Sequence, residues 1–341
     1  MRCYLTVALL DHRCNVEQVL RIIVKIAIVG SGGVGGYFGG LLASSGQDVT
    51  FIARGDHLKA IKDTGLRVTS VHGDFLIKPA QATDDVSRIS KVDLVLVCVK
   101  DYQLTDIMPA IKRLVGPQTA VIPLLNGVQA GRKLAEELGH QRTLGGVCRV
   151  VSYKSAPGII DQRSSFRSIT FGEWDGQKTT RAQEIYKAMK MAAIEVELAD
   201  DIHKTMWTKF LLITGFSGVA SVIRLPIGRI LSYPESKALM MQAMEEIFTV
   251  ARARNVDLDE DIVQKSMAFI EGYPEDETTS MQRDVVDGRM FELEALTGSL
   301  KRFGEVTGTP TPANNFIYAA LKPHEILATI KGRADMSRGR D

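Results

Sequence analysis

Cysteine is scarce. Cys3, Cys14, Cys98 and Cys148 are the only four in 341 residues, and their spacing matches no metal site. Cys98 sits in an apolar run where a free thiol packs as a small hydrophobe, so a reducing, cytoplasmic setting is the default. An excess of one charge is lacking too. The 42 basic residues against 40 acidic leave a formal +2, which gives neither a nucleic-acid footprint nor an acidic tail. No segment reaches about 18 uninterrupted apolar residues, so no membrane span is expected. Near the start, residues 5–10 form a short apolar run, followed by Asp11 and His12 without a small-x-small cleavage pattern. Residues 1–24 therefore read as a non-secretory extension. What is plentiful is apolar residue, 45% of a length that suits two domains.

Residues 25–36, Lys-Ile-Ala-Ile-Val-Gly-Ser-Gly-Gly-Val-Gly-Gly, organise the chain. An apolar run ending in a glycine-rich turn is the pattern of a buried parallel strand feeding a helix. Gly30, Gly32 and Gly35 have the G-x-G-x-x-G spacing of a dinucleotide site, with Ser31, Gly33 and Val34 completing the turn. In that reading the first glycine makes the turn and the second lets backbone approach a pyrophosphate. The third lets the helix over 34–45 pack on its strand, with its N-terminal N–H groups toward the phosphates. The expected fold is α/β, a Rossmann-type N-terminal domain with a parallel sheet.

A second strand over 48–53 ends at Arg54, where NAD-specific sites place an acidic residue for the ribose. A guanidinium suits a 2′-phosphate, so NADP(H) is the expected cofactor. A strand over 92–99 ends at Lys100 and one over 120–125 ends at Asn126-Gly127, both on the ligand-bearing edge. Lys100 is placed to meet the cofactor or a substrate anion, or simply to return the chain to water. Asn126 either orients a ligand or shapes the turn.

The β pattern continues over 144–153 and 168–173, then a helix over 181–193 and a last strand over 195–199. After Asp200-Asp201 the pattern turns helical, with helices over 203–222, 237–255, 258–270 and 289–302. The expected organisation is a Rossmann-type domain over 25–200, an all-α C-terminal domain over 201–325 and a tail over 326–341, frayed from Gly332. Lys209 lies on the same helical face as Met206, Phe210, Ile213 and Ser217, just before a run without charge. That position suits a proton donor facing the other domain, and equally a lysine that snorkels to solvent. Glu292 adjoins the apolar stripe of its expected helix, where surface solvation is the ordinary outcome.

From about residue 25 to 321 the chain resembles the ketopantoate reductases (2-dehydropantoate 2-reductases). The resemblance is carried by the glycine motif, Phe51-Ile52-Ala53-Arg54-Gly55, Val97-Cys98-Val99-Lys100 and Leu125-Asn126-Gly127. It continues in Met206-Trp207-Thr208-Lys209, Ser280-Met281-Gln282-Arg283-Asp284 and Gly288-Arg289-Met290-Phe291-Glu292. It implies NADPH-dependent reduction of a 2-oxo acid between the domains, in pantothenate synthesis. By position it implies Lys209 as the catalytic acid at the ketone oxygen and Glu292 as the holder of the substrate hydroxyl. It likewise implies Ser280 and Asn126 as substrate-binding groups, and Arg54 and Lys100 as contacts on the cofactor's phosphate side.

Two positions depart from the family pattern. Ile213 and Ile227 stand where asparagines are usual, which leaves the hydride chemistry intact and the substrate's side-chain end open. Another, less polar 2-oxo acid is therefore a second reading. A nucleotide-binding sensor without turnover is a third, opposed by Lys209 and Glu292. A homodimer is compatible with the apolar helical domain. No metal, nucleic acid or membrane is expected as a partner.

Overall fold

The computed structural model describes residues 23–338, so the extension expected at the N-terminus lies, up to residue 22, outside the described residues. β1 (Lys25–Val29) is buried from Ile26 onward because helices cover both faces of its sheet. The glycine turn leads into α1 (Gly33–Ser44), and α1 returns the chain to β2 (Asp48–Ile52), parallel to β1 with Ile26 opposite Val49. After α2 (Gly55–Thr64), β3 (Leu66–Ser70) and β4 (Phe75–Ile77) form an antiparallel hairpin. β5 (Gln81–Thr83), β6 (Leu94–Val97), α3 (Leu104–Leu114), β7 (Ala120–Pro123) and α4 (Ala130–Leu138) complete the parallel layer. Its strand order, β5-β2-β1-β6-β7, reverses direction at β1. The carboxyl ends of β1 and β6 therefore flank the crevice where open α/β sheets bind ligands.

Residues 144–153, expected as one strand, divide into β8 (Gly145–Arg149) and β9 (Ser152–Ala156). β9 pairs antiparallel with β10 (Ile159–Gln162), and β10 runs parallel to β3. The resulting sheet, ordered β4-β3-β10-β9, lies over α1. β11 (Ser168–Gly172), α5 (Thr180–Met191) and β12 (Glu195–Leu198) build a third sheet ordered β12-β11-β8. A parallel bridge between Val121 and Thr143 joins it to β7.

The helical domain opens with α6 (Ile202–Ile223), whose N-cap Asp201 accepts the Lys204 N–H at 2.9 Å. By length and a mean hydropathy of 1.4, α6 would suit a membrane span, but 67% of that window is buried within the protein. It is the central core helix. Around it lie α7 (Ile227–Leu231), α8 (Pro234–Ala253), α9 (Ile262–Glu271), α10 (Ser280–Val286), α11 (Thr297–Thr307) and α12 (Pro312–Arg338).

Two expectations fail here. The helix expected over 289–302 begins only at Thr297, and the segment before it is irregular, with Phe291, Glu292 and Leu293 all buried. The expected tail is also shorter, since α12 continues through Gly332 to Arg338.

The buried Glu246 carboxylate on α8 accepts the N–H groups of Ala313 and Asn314 at 2.7 and 3.0 Å, and the Asn314 amide at 2.7 Å. It thus satisfies orphan donors at the positive end of α12. Glu246→Ala should cost on the order of 1–3 kcal/mol. A lower urea midpoint at unchanged m-value is expected, and an unchanged midpoint would show that this cap carries no weight.

Candidate active site

The turn after β1 is shaped by two glycines. Gly30 has φ +96°, and a Cβ there would lie 2.8 Å from Val99 Cγ1. A Cβ on Gly35 would collide with the Gly30 carbonyl oxygen, so α1 can approach its strand this closely only without one. Around Gly32 the situation is the opposite, since a Cβ would meet nothing within 4 Å. This open space lies at an α1 N-terminus with no side-chain cap and no acidic residue in its first turn. Unsatisfied N–H groups and the positive end of a helix dipole there fit a dinucleotide pyrophosphate. Gly33 is backed by the Ser152 backbone, and Val34 is half-buried against the core.

Ser31 turns away from that space. Its hydroxyl donates to the Ile52 carbonyl at 3.3 Å, and its own carbonyl accepts from His57 Nε2 at 2.8 Å. His57 Nδ1 accepts the Gly158 N–H at 2.9 Å, so the tautomer with its proton on Nε2 satisfies both bonds. Burial, with help from Lys154, holds the imidazole pKa below its ordinary value against the opposing pull of the Ser31 carbonyl. Sequence reasoning missed this brace. Its only signal was a polar residue on the face of α2 that buries Leu58 and Ile61. Arg54 stands exposed at the end of β2 as the N-cap of α2, its side chain without a hydrogen-bond or ion-pair partner among the described residues.

Lys100 follows β6 and Asn126 follows β7, so the parallel sheet delivers both to one edge. Glu292 arrives from the helical domain with its side chain 3% exposed, placing Oε2 3.0 Å from Lys100 Nζ and 3.2 Å from Asn126 Nδ2. Asp284 lies 3.6 Å from the same ammonium and is held in turn by Arg289 at 3.0 Å. Lys100 therefore departs from its expected place on the phosphate side. Two carboxylates of the other domain draw it across the cleft, and one of them is too buried to stand without a cation. Burial pushes the Lys100 pKa down, but Glu292 and Asp284 outweigh it and hold the value above normal. Glu292 Oε1 has no hydrogen-bond partner among the described residues.

Lys209, on α6, is half-buried, and its ammonium has no hydrogen-bond or ion-pair partner among the described residues. Its charge reaches Cys148 on β8, where burial raises the thiol pKa and Lys209 opposes the rise. Glu292 acts on the same thiol, so both groups lie at this edge of the sheet. Ile213, one turn after Lys209, is half-buried, and Ser280 is exposed at the first position of α10. Ile227 does not reach the cleft. It is 1% exposed and packs inward with Ile230 in the helical core, so it cannot line a pocket as expected.

Lys100→Met should strand the Glu292 carboxylate. Because Lys100 is 38% exposed, water screens the loss to about 1–2 kcal/mol, below the ~3–5 kcal/mol of fully buried pairs. Adding Glu292→Gln should recover part of it. With a folded pKa above the ordinary 10.5, the contribution is complete below pH 10.5 and lost as pH rises through the folded value. Denaturant midpoints from pH 8 to 11 test this, and parent and variant curves that stay parallel would refute the coupling.

Residues 26–176 match the sequence model of ketopantoate reductase PanE/ApbA, and residues 201–325 match that of its C-terminal domain. A 2-dehydropantoate 2-reductase of Nostoc is 30% identical over 87% of this chain and 94% of its own. An uncharacterized oxidoreductase of Bacillus subtilis, YkpB, is 29% identical over 89% of this chain and 99% of its own. The crystal structure of 2-dehydropantoate 2-reductase from Geobacter metallireducens superposes with a TM-score of 0.83 at 29% identity, covering 88% of this chain and 99% of that one. With both domains matched, in order and over most of the length, the chain belongs to the ketopantoate reductase family and is an NADP-dependent oxidoreductase acting on CH–OH donors.

Proposed function

We propose that this protein reduces ketopantoate to pantoate with NADPH, using Lys209 as the proton donor. The observation that carries this reading is the pairing of an uncommitted ammonium on α6 with a carboxylate fixed across the cleft. Lys209 is free of carboxylate partners among the described residues, whereas Glu292 is held through Oε2 alone. Bound NADPH would supply the hydride for the ketone carbon. Arg54 would contact its 2′-phosphate, and the open α1 N-terminus its pyrophosphate.

As hydride reaches the carbon, negative charge develops on the ketone oxygen. Lys209 stabilises that charge and transfers a proton to it, leaving a secondary alcohol and a neutral amine that regains its proton from solvent. Glu292 Oε1 accepts the hydrogen bond of the substrate hydroxyl, while Lys100 and Asn126 keep the carboxylate oriented. Ser280, at the start of α10, would close the polar side of the pocket.

NADPH oxidation with ketopantoate tests the reading. Lys209→Ala should lower kcat roughly 10²- to 10⁴-fold with NADPH affinity retained. A variant with near-parental kcat would remove Lys209 from the mechanism.

Ile213 favours a second reading, a less polar 2-oxo acid, because it presents hydrocarbon one turn after Lys209. A substrate hydroxyl short of partners there would cost on the order of 1–3 kcal/mol, or about tenfold to a hundredfold in kcat/KM. The expected outcome is that 2-oxoisovalerate is used as well as ketopantoate, and that Ile213→Asn shifts preference toward ketopantoate. A parent already preferring ketopantoate by several orders of magnitude would rule out this second reading.

A further inference from the structure

Resting on the 2-oxo acid reading above, we propose that Arg149, the last residue of β8, binds the substrate carboxylate. A 2-oxo acid brings an anion next to the ketone, and a carboxylate leaving water needs a cation or several hydrogen bonds. Most cations around the cleft are already committed. Lys100 is held by Glu292 and Asp284, and Arg289 by Asp284 and Asp287. Arg283 bonds the Thr278 carbonyl and lies 3.9 Å from Glu277. Lys209 is required at the ketone oxygen. The Arg149 side chain is exposed and has no hydrogen-bond or ion-pair partner among the described residues.

Strand geometry directs this arginine toward the cleft. A Cβ on Gly145 would lie 2.5 Å from Ile202 of α6, and Val147 clusters with Ile202 and Met206. Side chains two residues apart share a strand face, so Arg149 continues that face toward later turns of α6. The parallel bridge from Val121 to Thr143 aligns β8 with β7, which brings Arg149 to the edge that carries Asn126. Its immediate neighbour Cys148 is the thiol reached by the charges of both Lys209 and Glu292. Across the cleft, burial and Glu277 raise the Tyr273 pKa while the Arg149 charge opposes them. Tyr273 stacks on Phe216 of α6 at 6.1 Å. Arg149, at the end of β8, therefore stands near both the reacting groups and the aromatic side chains of the helical domain. A guanidinium there can take a carboxylate through two parallel N–H bonds.

The test compares a 2-oxo acid with its methyl ester, which keeps the ketone and lacks the charge. For Arg149→Ala we expect KM for 2-oxoisovalerate to rise roughly tenfold to a hundredfold, with kcat changed less, NADPH affinity retained and an unchanged Tm. The ester should react equally with parent and variant, and Arg149→Lys should restore part of the loss. An unchanged KM for the acid, or an equal loss on acid and ester, would overturn the assignment. Equilibrium binding of oxamate to the NADP-loaded protein separates this proposal from the reaction itself. Tight binding to the parent that weakens in Arg149→Ala supports the site even if turnover is absent. Binding that is absent or equal in the two proteins overturns it.

Discussion

The buried Glu292 carboxylate is the constraint around which both domains are arranged. With its side chain 3% exposed it cannot be stabilised by bulk water, and every partner within reach of its Oε2 comes from the other domain. Lys100 and Asn126 stand at the ends of adjacent parallel strands, so the sheet itself sets their separation. The helical domain is thereby registered against the Rossmann edge by charge, while the apolar packing of α6 on β8 supplies contact area with little directionality. The irregular segment from 289 to 296 carries Glu292 between Phe291 and Leu293, all three of them buried.

The cofactor end obeys a different economy of polar groups. At the glycine turn the protein leaves backbone donors open at α1, yet it uses Ser31 and His57 to satisfy the remaining polar atoms from beneath. His57 ties the turn to Gly158 in the β9–β10 connection, so the sheet lying over α1 also holds the turn in shape. A buried imidazole suits this task because it offers one donor and one acceptor at a fixed distance, provided it stays neutral. Its lowered pKa keeps it so at neutral pH.

Local grammar made much of this legible in the sequence. The run from Ile26 to Val29, the spacing of Gly30, Gly32 and Gly35, and Arg54 after the second strand each depend on residues within a few positions. Lys100 and Asn126 could be placed on the correct edge for the same reason, because strand ends are local features. What Lys100 does there depends on Glu292 and Asp284, nearly two hundred residues later, and no periodicity encodes that distance. Glu292 falls inside an expected helix because Phe291, Leu293, Leu296 and Leu300 imitate a helical stripe, whereas the helix here begins only at Thr297. Ile227 shows the converse error. A departure from the family pattern looked like a pocket substitution, yet the side chain fills the helical core.

In the proposed reaction the two isoleucines would carry unequal weight for specificity, since Ile227 is buried and Ile213 only half-buried. Replacing an amide by hydrocarbon inside a core changes packing and removes a polar group that would need a partner, without altering what a substrate touches. Replacing one on the half-buried face of α6, a turn from Lys209, changes the surface offered to the cleft. Ile213, Phe216 and Tyr273 belong to one apolar cluster of the helical domain, which in the proposed pocket would face the substrate's hydrocarbon. The opposite wall is polar, with Glu292, Lys100 and Asn126. In the proposed reaction a substrate bridging them would present its ketone to Lys209, its hydrocarbon to α6 and any hydroxyl to Glu292. Discrimination would then depend on one hydrogen bond to Oε1 set against the burial of a branched side chain. Those two contributions are of similar size, about 1–3 kcal/mol each, so in the proposed reaction a single residue on α6 would decide between substrates.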